Sequence, residues 1–127
     1  MVNKKYGRLY SREAALNACP AGWRLPDDRD LDDLILATGG GVAGTNLKST
    51  PPDWDGTDEF GFSAMPGGIR STNFSDIGRR GRWWSSGRQW SGGIPTIAWG
   101  MNSGITNMAR EFMFAVSLAY SVRCVQE

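Results

Sequence analysis

The chain has 127 residues, 40% of them hydrophobic and 21% charged, which suits a single folded domain covering residues 1–127. Its net charge of +1 excludes a global pull toward nucleic acid or membranes, and the lack of histidine removes the commonest general base and metal ligand. No apolar run is long enough to span a bilayer, and the basic N-terminus lacks the apolar stretch of a secretory signal. We therefore expect no membrane insertion.

Two helices are predicted in the first third of the chain. Ser11 is suited to cap a first helix that runs to about Ala18 and is stopped by the proline and glycine of CPAGW. Asp27 is suited to cap the second, with Asp30 three residues later as in a capping box, and the glycines at 39–41 end it. A cluster of aspartates is thus predicted to form the first turn and solvated face of this helix, with a metal site as the less favoured alternative. The cluster consists of Asp27, Asp28, Asp30, Asp32 and Asp33.

The rest of the chain predicts short strands joined by long loops. The segment EFGFSAMPGG alternates in polarity before a Pro-Gly turn, and RWWSS, TIAWGM and YSVRCVQ are further strand candidates. Turn-forming residues dominate between 39 and 59 and between 85 and 97, so loops are predicted there. This order indicates an α+β domain with a mostly antiparallel sheet. The residues predicted to be buried are Trp23, Leu34, Phe62, Trp83, Trp84, Val122 and Cys124.

The two cysteines, Cys19 and Cys124, lie near opposite ends of the chain. Two thiols without histidine do not make a standard zinc site. A disulfide closing a loop of about 100 residues and a pair of buried free thiols are both compatible with the sequence.

Four stretches, taken in chain order, carry a resemblance to a known family: LYSREAALNACPAGWRLPDDRDLDDLI, LKST, DEFGFSAMPGG and RWWSS with the later AW and YSVRCV. They resemble the Fibrobacter succinogenes major paralogous domain, a bacterial and phage-associated family that looks like a branch of the C-type lectin fold. The resemblance covers the chain from about Tyr6 to Val125. It implies two helices flanking a small twisted sheet with long loops, neighbouring termini and the two cysteines close in space. It also places Trp23, Trp83 and Trp84 in the buried framework.

Calcium-dependent sugar binding and catalysis are both disfavoured by the residues present. The segment TPPDWDGTDE offers four carboxylates but lacks the Glu-Pro-Asn or Gln-Pro-Asp loop and the Trp-Asn-Asp element of lectin calcium sites, so we predict a solvated acidic loop. No constellation of nucleophile and base is visible, because histidine is absent and Lys4, Lys5 and Lys48 lie in no recognisable motif. We therefore expect no enzyme activity, no metal and no cofactor.

An arginine-rich segment beside Trp90 raises the alternative of nucleic-acid binding, since arginine and tryptophan can neutralise phosphates and stack on bases. The cluster is short and the chain is nearly neutral, so we expect no nucleic-acid partner. Arginine and aromatic residues are equally typical of protein-binding hot spots, which favours a ligand-binding surface. The arginines are Arg79, Arg80, Arg82 and Arg88.

Lectin-fold domains of this kind recur as the variable proteins of diversity-generating retroelements, and the resemblance implies that function here. In these systems adenine-directed mutagenesis rewrites codons near the 3′ end of the gene. Asn-type codons mutated at their adenines can yield Arg, Gly, Ser, Ile, Phe, Thr or Ala, but not Trp, Met, Gln or Glu. The residues expected to be fixed are Trp83, Trp84, Gln89, Trp90, Trp99, Met101, Met108, Glu111 and Met113. The candidates for a diversified ligand-binding surface, within about residues 78–120, are Arg80, Arg82, Gly87, Arg88, Ser91, Gly92, Ile94, Gly100, Asn102, Gly104, Ile105, Arg110, Phe112 and Phe114.

These candidates are expected to cluster on one solvent-facing surface that binds varied protein or surface ligands, as in a viral or cell-surface receptor-binding protein. Display is expected either as a homo-oligomer or through attachment to a larger displaying protein. Phe112 and Phe114 allow two interpretations, an exposed binding patch or packing inward beneath the loops. The alternative function is that of an ordinary paralogous surface domain with one fixed protein or glycan ligand.

Overall fold

The computed structural model describes residues 2–3, 6–87, 96–112 and 118–127. Its helices are α1 (Arg12–Ala15), α2 (Asp28–Ala37) and α3 (Ala43–Leu47), with a 3-10 turn at Gly40–Val42. Its strands are β1 (Val2–Asn3), β2 (Gly7–Arg8), β3 (Tyr10–Ser11), β4 (Trp23–Arg24), β5 (Ile69–Arg70), β6 (Phe74–Ser75), β7 (Arg80–Trp84), β8 (Ala98–Asn102), β9 (Ala109–Glu111), β10 (Ala119–Tyr120) and β11 (Val125–Gln126). This mixture of helices and small sheets is α+β, as predicted.

The strands form small antiparallel sheets that are joined at their edges. The central sheet has the order β7-β8-β9, a second sheet has the order β3-β10-β5-β6, and β1-β2 and β11-β4 form two-stranded ladders. The first two sheets meet where Ser121, just after β10, exchanges main-chain hydrogen bonds with Arg82 and Trp84 of β7, at 2.9 and 3.0 Å. The middle of the domain is therefore a continuous surface built around β7 and β8.

Both predicted helix starts are confirmed. The Ser11 hydroxyl accepts from the amide of Ala14, and Asp27 and Asp30 form a reciprocal capping box with distances of 2.9 and 3.0 Å. Each cap satisfies amides that have no partner inside the helix. These helices begin where predicted because capping depends on residues three positions apart.

The two helices lie on opposite faces of the central sheet, each with its own core. Leu31 of α2 packs with Trp83 and Trp99, and this core also takes in residues of α3. Ala15 of α1 packs with Trp84 in the second core. The predicted burial of Trp83 and Trp84 is confirmed, since the side chain of each tryptophan enters a different core.

The first helix and the last strand are shorter than predicted. The helix was expected to run to about Ala18 but ends at Ala15. Within YSVRCVQ, β10 ends at Tyr120 and β11 begins at Val125, and residues 122–124 lie outside any strand.

Three further predictions about the fold are wrong. Trp23 was expected in the core but is 43% exposed, because β4 lies in a two-stranded ladder with β11 at the end of the chain. EFGFSAM forms no strand: Asp58 and Ser63 have positive φ, and the Asp58 carboxylate accepts from the Ser63 amide and hydroxyl, which closes a turn instead. The predicted loop at 39–59 contains α3, which is stabilised by the burial of Ala43 and Leu47.

The remaining core predictions hold in weaker form. Leu34, Phe62 and Val122 are partly buried and pack against the two cores, while Cys124 is half-buried. Cys124 forms a disulfide with Cys19, with α-carbons 5.8 Å apart across a sequence separation of 105 residues. The predicted proximity of the cysteines is confirmed. Of the two alternatives, a disulfide and a pair of free thiols, the structure has the disulfide.

None of the helices in the described part of the chain combines the length and the apolar character needed to cross a bilayer.

Candidate ligand-binding site

The register of the central sheet determines which candidate residues share a face. Arg80 lies opposite Asn102, and Arg82 lies opposite Gly100. Directly paired residues point to the same side of a sheet, and alternate residues along a strand share a side. These four candidates therefore occupy one face, which we call the candidate face.

Arg82 lies at the centre of the candidate face but is not available to solvent. Its side chain is 7% exposed, and its Nε donates to Glu111 Oε2 at 2.9 Å. Its Nη1 donates to Asn102 Oδ1 at 3.1 Å and to the Gly81 carbonyl at 3.2 Å. The expectation that Arg82 faces solvent is wrong, because its charge is engaged inside the sheet face.

Glu111 links this network to the second sheet. Its Oε1 accepts from the Tyr120 hydroxyl at 3.1 Å, while Oε2 binds Arg82. Burial raises the pKa of Tyr120 to about 12, and the neighbouring Glu111 carboxylate adds to the rise. Tyr120 therefore stays protonated and remains a donor at neutral pH.

Gly100 is also buried, and a side chain at this position would collide with its neighbours. A Cβ atom there would lie 2.4 Å from Arg82 Nη1 and 2.4 Å from the Gly81 carbonyl oxygen. The Arg82 side chain thus occupies the space that the glycine leaves open. The expectation that position 100 faces solvent is wrong for this reason.

The loop between β8 and β9 presents two candidates to solvent. Gly104 is exposed and Ile105 is 44% exposed. Gly104 has a φ of +77°, so an L-residue at this position costs roughly 1–2 kcal/mol even though the space around it is open. Ile105 has no such restriction.

Main-chain hydrogen bonds from buried and half-exposed side chains hold this loop. The Lys48 ammonium, in a side chain that is 1% exposed, donates to the carbonyls of Asn102 and Ile105 at 2.9 and 3.0 Å. Asp55 pairs with that ammonium at 2.9 Å and accepts from the Gly104 amide at 2.6 Å. The backbone of Asn102, Gly104 and Ile105 is therefore held by the side chains of other residues. The Asn102 side chain makes a separate contact, in which its Oδ1 accepts from Arg82.

Electrostatics keep Asp55 ionised in this arrangement. Partial burial raises the pKa of Asp55, but the hydrogen bond from the Gly104 amide and the contact with Lys48 outweigh it, so the pKa is lowered overall. Trp54 adds a further tie, since its indole N–H donates to the Ser103 hydroxyl at 2.9 Å. Trp54, Lys48 and Asp55 were not identified as site residues from the sequence, and the contacts that give them this role span about 50 residues.

Arg110 lies on the opposite side of the sheet from the candidate face. It is paired with Trp99 in the register, and its guanidinium binds Asp32 Oδ1 at 2.7 Å and the Asp28 carbonyl at 2.9 Å. The prediction that it shares one surface with the other candidates is wrong, because α2 supplies both of its partners.

The remaining candidates are found at the other end of the sheet or outside the described residues. Gly87 follows β7 and has a φ of +79°, and Phe112 follows β9 with 47% exposure. Of the two interpretations of Phe112, the exposed one agrees with the structure. Five candidates lie outside the described residues, namely Arg88, Ser91, Gly92, Ile94 and Phe114.

Ion pairs offset part of the positive charge in the described part of the arginine-rich segment. Arg79 and Arg80 both approach Asp76, at 3.0 and 3.6 Å, and Arg82 pairs with Glu111. The positive charge available to a nucleic-acid backbone is correspondingly reduced.

The acidic clusters likewise bind protein groups. Asp30 is held by Arg24, Asp28 accepts from the Thr96 amide at 3.0 Å, and Asp58 accepts from Ser63. Across residues 2–3, 6–87, 96–112 and 118–127, no group of three or more His, Cys, Asp or Glu residues is arranged to hold a metal ion.

Comparison with known proteins identifies one family. The family model described as the Fibrobacter succinogenes major domain matches residues 2–126, so the chain belongs to this family. No curated protein and no solved structure gives a significant match.

Proposed function

We propose that this member of the Fibrobacter succinogenes major domain family is a ligand-binding display protein. We propose further that it has a C-type lectin fold and is the variable protein of a diversity-generating retroelement. Its ligand surface is formed by the exposed residues around the candidate face and the β8–β9 loop.

The observation that carries this proposal is the support of the β8–β9 loop through its main chain. Lys48 and Asp55 bind the carbonyls of Asn102 and Ile105 and the amide of Gly104. Such a loop keeps its shape when an exposed side chain is exchanged, because the hydrogen bonds do not involve that side chain. A preordered loop also binds a ligand without a large ordering cost.

Five of the nine described candidates fall into an exchangeable set or a fixed set. Arg80, Ile105 and Phe112 are partly or largely exposed, and their replacement leaves the buried network intact. Arg82 and Gly100 belong to the fixed set, because the arginine fills the space above the glycine. The proposal therefore keeps the display function but removes these two positions, and Arg110, from the surface.

The exchangeable residues lie at the two ends of the central sheet. Arg80 and Ile105 lie near one end of β7 and β8, while Phe112 follows the pairing of Glu111 with Ala98 at the other end. Four residue steps along β7 separate these ends by roughly 13 Å. This spacing suits a protein-sized ligand that touches several loops at once.

The disulfide supports a location outside a reducing compartment. Bridges of this kind persist mainly in oxidising environments such as cell and virion surfaces. A bond between Cys19 and Cys124 also ties the first helix region to the last strand. Both properties suit a scaffold that is displayed on a surface.

Two matched libraries on a surface-display host test the proposal. One randomises the exchangeable positions Arg80, Ile105 and Phe112, and the other randomises Arg82 and Gly100. We expect most members of the first library to stay folded, with stability changes of about 0.5 kcal/mol or less per site. Selection of this library against unrelated proteins should yield binders, whereas the second library should lose protease resistance. Equal loss of folding in both libraries, or no binder from the first, would refute the display function.

The gene neighbourhood distinguishes the proposal from its alternative. A reverse transcriptase gene beside a near-copy of the 3′ end of this gene is expected for a retroelement. If these are absent and one fixed protein or glycan ligand is found, the chain is an ordinary paralogous surface domain.

A further inference from the structure

A cavity of about 370 Å³ lies between α2 and the last residues of the chain. Leu31 and Leu34 of α2 form one wall, and Phe62 and Trp99 contribute aromatic surface. Trp99 belongs to the face of the central sheet opposite the candidate face, so this cavity is separate from the proposed display surface. Its volume falls in the range of about 300–1,000 Å³ that is typical of small-molecule sites.

Arg123 contributes a positive charge to the cavity that lacks a direct counter-ion. Its guanidinium lies 3.6 Å from the centroid of the Phe62 ring and donates to the Phe62 carbonyl. Among the described residues, no carboxylate lies within ion-pair distance of it, and the Asp58 carboxylate, which attracts it from farther away, is bound by Ser63. Burial lowers the pKa of Arg123, which indicates that its charge is incompletely solvated.

Trp99, which also lines the cavity, carries a buried donor without an acceptor in the described part of the chain. Its indole Nε1 is buried and has no hydrogen-bond partner within the described ranges. Buried N–H groups are nearly always paired in folded proteins, so an orphan in the residue that lines a cavity calls for an explanation. The charge of Arg123, which has no direct counter-ion among the described residues, favours a ligand that brings an anionic acceptor.

The carboxylates at the cavity do not supply that acceptor. Asp30 is committed to Arg24 and to the cap of α2. Asp33 is exposed and makes no ion pair among the described residues. Its negative charge opposes an anionic ligand and favours a cationic one. A comparison of anionic and cationic probes therefore shows whether Arg123 or Asp33 determines the preference of the cavity.

We propose that this cavity binds a small apolar carboxylic acid. The hydrocarbon part of the ligand packs against Leu31, Leu34 and Phe62, and its carboxylate pairs with the Arg123 guanidinium. Arginine is suited to this role because its planar fork of donors can bind a carboxylate while its flat face stacks on an aromatic ring.

Three probes of nearly equal size test the charge preference on the native protein. Binding of 3-phenylpropionate, 3-phenylpropanamide and 3-phenylpropylamine is measured by calorimetry and by quenching of tryptophan fluorescence. We expect the carboxylate to bind and the neutral amide to bind at least about tenfold more weakly, because a charge-assisted hydrogen bond is lost. Equal affinity for all three probes, preference for the amine, or no binding of the carboxylate would overturn the proposal.

Four variants locate the site. Arg123→Gln should weaken carboxylate binding by about tenfold or more, and Leu34→Trp should block it by filling the cavity. Asp33→Asn should strengthen it, since a repulsive charge is removed. Arg79→Gln, at an exposed arginine outside the cavity, is the control and should bind as the native protein does. Binding that survives both Arg123→Gln and Leu34→Trp would overturn the assignment, and if either variant fails to fold, the comparison of probes on the native protein still decides.

Discussion

The substitution Lys48→Met tests whether Lys48 holds the β8–β9 loop of the candidate site in place. Methionine keeps most of the aliphatic length of lysine but lacks the ammonium that binds the carbonyls of Asn102 and Ile105. The change therefore removes the support of the β8–β9 loop with little change in packing volume. It leaves every exposed candidate side chain in place.

The expected loss of stability is about 2–3 kcal/mol. Two hydrogen bonds from a charged donor are worth roughly 1.5 kcal/mol each. The Lys48–Asp55 pair adds little, because the Asp55 side chain is 43% exposed and can be solvated when its partner is removed. Part of the loss is offset because the variant no longer buries an ammonium.

Thermal and exchange measurements check this value. For a chain of this size, 2–3 kcal/mol lowers Tm by roughly 6–15 °C. Amide exchange at Gly104, which donates to Asp55, should accelerate more than exchange in α2. Arg79→Met introduces the same residue at an exposed ion pair and should change stability by only about 0.5 kcal/mol. A Lys48→Met variant that melts within about 3 °C of the native protein, with unchanged exchange at Gly104, would refute the reasoning.

Three further predictions concern pH, the disulfide and the core. The lowered pKa of Asp55 means that its contribution to stability is present above the ordinary carboxyl pKa of 3.8 and is lost as the pH falls through the lower folded value. Urea midpoints should therefore decrease below about pH 4, and less so in Asp55→Asn. Replacing Cys19 and Cys124 by serine should lower the free energy of unfolding by about 4–5 kcal/mol in the loop-entropy model, and an unchanged denaturation midpoint would contradict that role. Trp83→Ala should cost roughly 3–5 kcal/mol by calorimetry, and a variant with native Tm would show that the residue is dispensable to the core.

Local signals in the sequence predicted the parts of the fold that depend on local contacts. The caps at Ser11 and Asp27 were correct because each involves an amide three residues away. The strands β7 and β8 were correct because their tryptophans and other large apolar residues favour extended, buried structure. The helix α3 was missed because its segment is rich in glycine and polar residues, and burial against the sheet stabilises it.

In the candidate site, too, features that depend on contacts distant in sequence were not predicted. Exposure at Ile105 was expected from the codon argument, and exposure was one of two interpretations at Phe112. The support of the β8–β9 loop by Lys48 and Asp55 was not anticipated. That support joins positions about 50 residues apart, and no local pattern marks it. A lysine that lies in no motif can therefore be the residue that holds a surface loop in place.

Arg82 and Gly100 show that residue type alone does not reveal which positions are buried. Both residue types belong to the set that adenine mutagenesis can produce, so a codon argument selects them along with the truly exposed positions. In the folded sheet they form one unit, because the arginine reaches Glu111 only by crossing the space above the glycine. Changing either residue alone leaves a collision or an uncompensated charge, and neither cost depends on the ligand. If the proposed display function holds, a repertoire on this scaffold must keep the arginine and the glycine together, and its variation must be confined to the positions around them.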